Sequence, residues 1–334
     1  MLDELNGRIV AIDAYNMLYQ FLSIIRQPDG MPLTGPEGEV TSHLSGLFYR
    51  TVDMIGKGIT PIYVFDGVPS HLKQQTTMAR IKRREEAHKE YEAAKEKGDV
   101  ELMRMKAQQS TRITKEIVES ARELLTLMGV AHMKAPSEGE AQASAMAERG
   151  LVYAAASQDY DTMLFGAPIV VRNLSFSGRR KLPRKNVYVN VEPEIVSLKD
   201  TLASLNLTRE QLVWVGIMIG NDFNKGIDGI GPKTALKISR ESKSIEEMVA
   251  KVKEKGKEFE GDVHEVQELF IHPEVKEMTE SEFKSMLDQK CDSEGALRFM
   301  CDMHGFSKER LAKYVSVLEK KVEQSRQRNI DSWF

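Results

Sequence analysis

The chain has 334 residues, of which 41% are hydrophobic and 29% charged, and its 47 basic and 50 acidic side chains leave a net charge of −3. That length means one large or two modest domains, and no apolar run is long enough to span a bilayer, the longest useful one being Leu212 to Ile219. Two cysteines, Cys291 and Cys301, seven scattered histidines and an acidic start exclude a disulfide framework, a zinc site and a secretory leader, and predict a soluble intracellular protein.

In chain order, Arg8 to Ile12 predicts a buried strand, and Leu44, Leu47, Phe48, Thr51, Val52 and Ile55 predict a helix. Pro61 to Phe65 then predicts a second strand, and Leu151 to Ala155, Ile169 to Val171 and Val187 to Val191 predict further ones. Strand, helix and strand in this rhythm give an α/β fold: a mainly parallel central sheet flanked by helices.

Residues 71–127 read as nearly continuous helix, broken at Lys97-Gly98-Asp99. The first half is charged all round, so it cannot be an ordinary core helix and is expected to stand out as an arch over residues 71–115. Ile117, Leu124, Leu125 and Met128 return the second half to the core. A boundary near residue 205 separates an α/β core, 1–205, from a helical region, 206–323. The helical region opens with Thr208 to Ile219 behind a Thr208/Gln211 capping box. Phe306 to Gln324 is a last amphipathic helix, and 324–334 is expected to be a flexible tail.

Charge is uneven along this layout. Residues 71–115 hold twelve Lys and Arg against seven Asp and Glu, and Arg179, Arg180, Lys181, Arg184 and Lys185 form a second basic knot. Such runs are either solvated surface or a basic track beside an acidic pocket.

The acidic pocket is suggested by seven carboxylates at chain turns. Asp13 and Asp66 end the first two strands, where ligands of open α/β sheets bind, although each also suits a helix cap. Glu138 and Glu140 open the helix that begins after Pro136; Ser137 with Glu140 matches a capping box, which leaves Glu138 unexplained. Asp159 and Asp161 follow a third strand, and Asp222 ends a helix, where its charge opposes the dipole. Seven clustered acids repel one another unless cations neutralise them. All-oxygen ligation selects Mg²⁺, with Mn²⁺ as a substitute. So many acids point to a two-ion phosphoryl-transfer site, with ions roughly 4 Å apart. Without these seven the chain would carry a net +4.

From Gly226 to Ala235, glycines precede a helix start at Pro232. This is either a tight inter-helix turn or an anion site in which Gly229, Gly231 and Lys233 meet a DNA backbone, and the second reading is favoured.

These residues carry a resemblance. VAIDAYN, TSHLSGLFYR, YVFDG, APSEGEA, SQDYDTMLFGAP, GND, GIGPKTA and QRNIDSWF are similar to the motifs of the flap endonucleases, over essentially the whole chain. The resemblance implies a metal-dependent endonuclease of archaeal type. It would cut 5′ flaps of branched DNA in replication and repair, leaving a 5′-phosphate and a 3′-hydroxyl. It implies metal ligation by Asp13, Asp66, Glu138, Glu140, Asp159, Asp161 and Asp222. Lys73 and Arg80 would steer the scissile phosphate, and Tyr19 would stack a terminal base. The Gly226–Ala235 hairpin would be a helix-two-turn-helix element holding a K⁺ ion. Relatives carry a longer Met-Gly segment before the first strand than this chain does.

The same fold also serves nucleases of repair bubbles and Holliday junctions, and a non-catalytic DNA-binding clamp partner is a further alternative. The compact arch and the full set of acids argue for the flap nuclease. Gln327, Ile330, Trp333 and Phe334 fit the Gln-x-x-aliphatic-x-x-aromatic-aromatic pattern of peptides that bind a sliding clamp of the proliferating-cell-nuclear-antigen type. No membrane partner is expected.

Overall fold

A computed structural model of the chain describes residues 2–174, 178–181 and 188–331. The described strands are β1 (Ile9–Asp13), β2 (Thr60–Phe65), β3 (His132–Lys134), β4 (Ala154–Ala156), β5 (Ile169–Arg172), β6 (Gly178–Lys181), β7 (Tyr188–Val191) and β8 (Glu194–Ser197). Six of them form one sheet in the order β3-β2-β1-β4-β5-β8, all parallel except the last pair. β1 and β2 are buried along almost their whole length, which is why they read as continuous apolar runs rather than alternating ones. Among the described residues β6 and β7 pair only with each other, so the described part of the strand expected at Val187 to Val191, Tyr188–Val191, belongs to a separate ribbon. Of the second basic knot, Arg184 and Lys185 lie outside the described residues.

From β1 the chain steps to β2 and β3 on one side, then returns to β4 and β5 on the other. The reversal falls between β1 and β4, so the carboxyl ends of these two neighbours frame a crevice.

Helices make the crossovers. α1 (Ala14–Ile24) and α2 (Ser42–Gly56) link β1 to β2; α3 (Gln74–Lys97), α4 (Val100–Gln109) and α5 (Lys115–Leu127) link β2 to β3. α6 (Gly139–Glu148) and α7 (Asp161–Leu164) flank β4, and α8 (Leu198–Leu205) follows β8. α3 buries only Ala87, Tyr91 and Ala94, and it stops at Gly98, which takes the left-handed conformation of a helix C-terminus. α3 and α4, which fall in the segment expected as an arch, pack on one another, and the pair does not stand free. Arg104 of α4 donates to Pro28 O, and the Tyr91 hydroxyl lies 3.0 Å from Met31 Sδ, so the loop after α1 props it.

The helical part comprises α9 (Arg209–Ile219), α10 (Pro232–Arg240), α11 (Ile245–Glu254), α12 (Val263–Ile271), α13 (Glu280–Leu287), α14 (Ser293–Arg298) and α15 (Lys308–Asp331). The Thr208/Gln211 capping box that opens α9 is present. α9 to α12 surround their own core of Val213, Trp214, Ile217, Ile238, Met248 and Phe270, which reaches Leu164 and Phe165 of the α/β part. Packing then departs from the boundary near 205. Ala296, Phe299, Met300, Leu311 and Leu318 join the core of Leu44, Leu47 and Phe48 on α2. An amphipathic stripe gives the face a helix buries but not the element that covers it.

α15 also continues to Asp331, past the expected stop at Gln324. The segment 324–331, expected as a flexible tail, is therefore helical, and no glycine or proline interrupts it. Gln327 and Ile330 lie on this backbone; Trp333 and Phe334 lie outside the described residues.

Candidate active site at the carboxyl edge of the sheet

Asp13 is the last residue of β1 and also the N-cap of α1, its Oδ1 accepting from Asn16 N at 3.0 Å. Cap and cluster member are thus the same side chain. Asp66 follows β2, and its Oδ1 accepts from Gly139 N at 2.7 Å, joining the second strand's end to the mouth of α6. Gly67 N donates to Ser137 O at 2.6 Å and Val68 N to Pro136 O at 2.9 Å, so the two acid-bearing loops are zipped together by backbone. Only glycine permits this approach: a Cβ at 67 would lie 2.1 Å from the carbonyl oxygens of Ala135 and Pro136.

That zip changes the start of α6. The helix begins at Gly139 with Glu138 as its N-cap, and Glu138 makes no side-chain cap bond. The capping box expected from Ser137 and Glu140 is therefore absent. Instead Glu140 Oε1 accepts from the Ser157 hydroxyl and, at 3.3 Å, from Thr162 Oγ1. Ser137 is engaged through its carbonyl with Gly67, which carries the helix start past it.

Asp159 follows β4, Asp161 opens α7, and Asp222 follows α9. Six of the seven acids (Asp13, Asp66, Glu138, Glu140, Asp159 and Asp222) line one cavity of about 900 Å³, shared with Tyr19, Lys73 and Arg80. Asp161 is not on that lining, yet it lies within the electrostatic reach of Asp159 and Asp222.

The electrostatics are those of acids in excess. Burial, reinforced by Asp66, pushes Asp13 up to about 8; the Asn16 bond and Lys73 pull the other way. Burial followed by repulsion from Asp159 and Asp222 lifts Asp161 to about 6. Asp66, Asp159 and Glu140 are raised as well, burial being the leading cause in each, and Glu140 is carried well above the carboxylate range.

Two cations answer this excess. Lys73 Nζ lies 2.5 Å from Glu138 Oε2 and 3.7 Å from Asp222 Oδ2, and Arg80 donates to Asp222 Oδ1 at 2.6 Å. Among the described residues no group of three or more His, Cys, Asp or Glu side chains is poised to hold an ion; Lys73 and Arg80 engage the carboxylates themselves. The donor set nevertheless fits a hard divalent cation. Every candidate atom is a carboxylate oxygen, and Glu138 Oε1 is buried with no hydrogen-bond partner.

Tyr19 is half-buried on α1, and the Arg84 guanidinium lies 5.7 Å from its ring centroid. The glycine hairpin is a separate place. Gly229 has a positive φ of 83°, Gly231 caps α10, Pro232 opens that helix, and Lys233 is exposed in its first turn. None of these four lines the acid cavity.

Sequence reasoning missed Ser157, Thr162, Arg83, Arg84 and Arg172. Arg83 and Arg84 line the cavity, and Arg172 bonds the loop that carries Asp159. Ser157 had a signal, since it is a small hydroxyl between an all-alanine strand and an acid pair.

The chain also matches known proteins. Residues 1–87 match the XPG N-terminal domain family and residues 129–222 the XPG I-region family. Over 334 residues the chain is 47% identical to flap endonuclease 1 of Pyrococcus furiosus, covering 100% of this chain and 95% of that protein. The solved structure of flap endonuclease-1 from Methanococcus jannaschii matches with a TM-score of 0.73 at 36% identity, over 97% of this chain and 95% of that one. The catalytic core of Rad2 in complex with DNA substrate, 22% identical with a TM-score of 0.64 over 95% of this chain and 94% of that one, shares the fold.

Proposed function

The chain belongs to the flap endonuclease family, and on that premise we propose how its own residues cut DNA. The protein is a metal-dependent 5′ flap endonuclease. The observation that carries the finer reading is that six acids from five chain turns share one cavity with Lys73 and Arg80.

In this reading Asp13, Asp66, Glu138, Glu140, Asp159, Asp161 and Asp222 hold Mg²⁺, with Mn²⁺ as a substitute. A bound pair of such ions supplies a water of lowered pKa and charge stabilisation for the leaving 3′ oxygen. The protein does the rest. Ser157 and Thr162 fix the Glu140 carboxylate. Lys73 and Arg80 exchange their carboxylate partners for oxygens of the incoming phosphate, Arg80 presenting a planar fork that suits it. Tyr19 stacks a base at the cavity wall, with the Arg84 guanidinium near its ring. The α3–α4 arch receives the single strand. Gly229, Gly231 and Lys233, at the start of α10, hold a duplex phosphate with exposed backbone amides and one ammonium. A K⁺ ion at this hairpin, and docking of Gln327, Ile330, Trp333 and Phe334 on a sliding clamp, complete the proposal. The setting is intracellular, in an archaeal nucleoid. No helix among the described residues is long and apolar enough to cross a membrane.

The test is cleavage of an end-labelled double-flap DNA with and without Mg²⁺. The reading expects one Mg²⁺-dependent cut near the flap junction, with a 5′-phosphate on the product. Cleavage that persists in EDTA, or that ignores the flap, would overturn it.

A further inference from the structure

Arg172 closes β5, the strand beside β4, and its guanidinium reaches across to the segment that follows β4. Nε donates to Gln158 O at 3.2 Å. Nη1 donates to the Tyr160 hydroxyl and, at 3.0 Å, to Oε2 of Glu194, the residue paired with Arg172 across β5 and β8. The guanidinium carbon also sits 4.0 Å from the Tyr160 ring centroid. Gln158 and Tyr160 flank Asp159, and Tyr160 precedes Asp161. On its other side the same segment is tied by Asp159 N to Ser157 Oγ at 3.2 Å and by Thr162 Oγ1 to Asp159 O at 3.0 Å. Arg172 therefore supplies the outer fastening of a loop bearing two acids of the cluster. A carbonyl, a hydroxyl and a carboxylate are met by one planar donor set, and Tyr160, 52% exposed, has the guanidinium stacked on its ring.

We propose that Arg172 is a positioning residue for metal binding: it anchors Gln158–Asp161 to the β5–β8 edge of the sheet and so holds Asp159 and Asp161 in register with the other acids. The proposal rests on the reading of those two acids as ion ligands. Outer partners of this kind typically cost about 10–100-fold in metal affinity or activity when removed. The charge of Arg172 works in the opposite sense. A cation beside Asp159 repels a divalent ion, so if charge alone mattered, its loss would tighten metal binding. The sign of the effect therefore separates positioning from simple electrostatics.

The experiment compares Arg172→Ala, Arg172→Lys and Asp159→Asn in the full chain. It reads Mn²⁺ binding to the DNA-free protein by titration calorimetry, flap-DNA affinity in Ca²⁺, single-turnover cleavage in Mg²⁺, and melting temperature in EDTA. Arg172→Ala is expected to weaken Mn²⁺ binding by about tenfold and slow cleavage by at least as much, with DNA affinity and melting temperature unchanged. Arg172→Lys, which keeps the charge but not the fork, should resemble the alanine variant. Unchanged or tighter Mn²⁺ binding in Arg172→Ala would overturn the proposal, and so would a lowered melting temperature with metal binding intact. If Arg172→Ala does not fold, Tyr160→Phe removes a single partner of the fork; it should weaken Mn²⁺ binding two- to threefold, and no change would overturn the proposal. Asp159→Asn separates the two ideas. If it binds Mn²⁺ as the unmodified protein does, the ligand reading fails and this inference with it. If it binds weakly while Arg172→Ala does not, only the role of Arg172 is lost.

Discussion

Lys73 and Glu138 meet at 2.5 Å, Nζ to Oε2, at the foot of the arch, and the same ammonium stands 3.7 Å from Asp222. Burial would strip the charge from Lys73, yet its carboxylate neighbours, Glu138 foremost, leave its pKa raised. The ammonium thus serves as a resident counter-ion for the acids until a phosphate claims it.

Removing it should separate metal binding from chemistry. Lys73→Ala is expected to bind Mn²⁺ about tenfold more tightly in the DNA-free protein, since one competing positive charge is gone. Single-turnover cleavage should fall by about two to three orders of magnitude, as removed transition-state stabilisers typically cause. Calorimetry and rapid-quench assays check both. Weaker Mn²⁺ binding would rule out the counter-ion role.

Asp159→Ala and Asp222→Ala should each abolish cleavage while flap DNA still binds in Ca²⁺. Near-normal turnover of both variants at saturating Mg²⁺ would remove these residues from the site.

Stability should carry the mark of the uncompensated acids. Asp13 titrates at about 8 in the folded protein against 3.8 for an ordinary Asp, so between those values the native state holds more protons than the unfolded one. Stability from this group falls as pH rises through that window. Asp161, at about 6, acts in the same direction lower down. His43 opposes them: burial lowers it to about 3, so the native state holds fewer protons than the unfolded one up to the ordinary 6.5. Above pH 6.5 the acids act without that opposition. The melting temperature in EDTA should therefore drop from pH 6.5 to 8, and Mg²⁺ should restore most of the loss at pH 8. A flat profile in EDTA would show that the cluster is already neutralised.

Lys233→Ala should weaken flap-DNA binding and lower the slope of log affinity against log salt by about 0.9, one phosphate contact. Its cleavage rate at saturating DNA should not change. An unaltered salt slope would place Lys233 off the DNA.

Replacing Trp333 and Phe334 by Ala should abolish sliding-clamp binding and leave melting temperature and clamp-free cleavage as they were. A fall of several degrees with clamp affinity intact would mean that the pair packs in the core.

Much of this was legible in the sequence because the signals were local. Ile9–Asp13 and Thr60–Phe65 are buried on both faces, so their apolar runs stood out. Six of the seven acids proposed from chain turns line one cavity, Asp13, Asp66 and Asp159 because parallel strands deliver their carboxyl ends to the same edge. What stayed hidden depends on partners distant in sequence. The Ser137/Glu140 capping pattern was locally sound, but it is overridden by Gly67, seventy residues upstream, which bonds Ser137 O. Arg172 is one basic residue at a strand end until Gln158, Tyr160 and Glu194 surround it. The return of α14 and α15 to α2 could not be read from their own stripes, since any apolar face of similar width would complement them.

That return also sets an order of events during synthesis. Leu311 and Leu318 share a core with Val10 and Ile12 of the strand that presents Asp13, so the core around the first acid is complete only once residues 311–318 have been made. Domains generally fold as units during translation, yet here the earliest strand waits for one of the latest helices. A nascent chain therefore carries all seven acids before the core that frames Asp13 is complete.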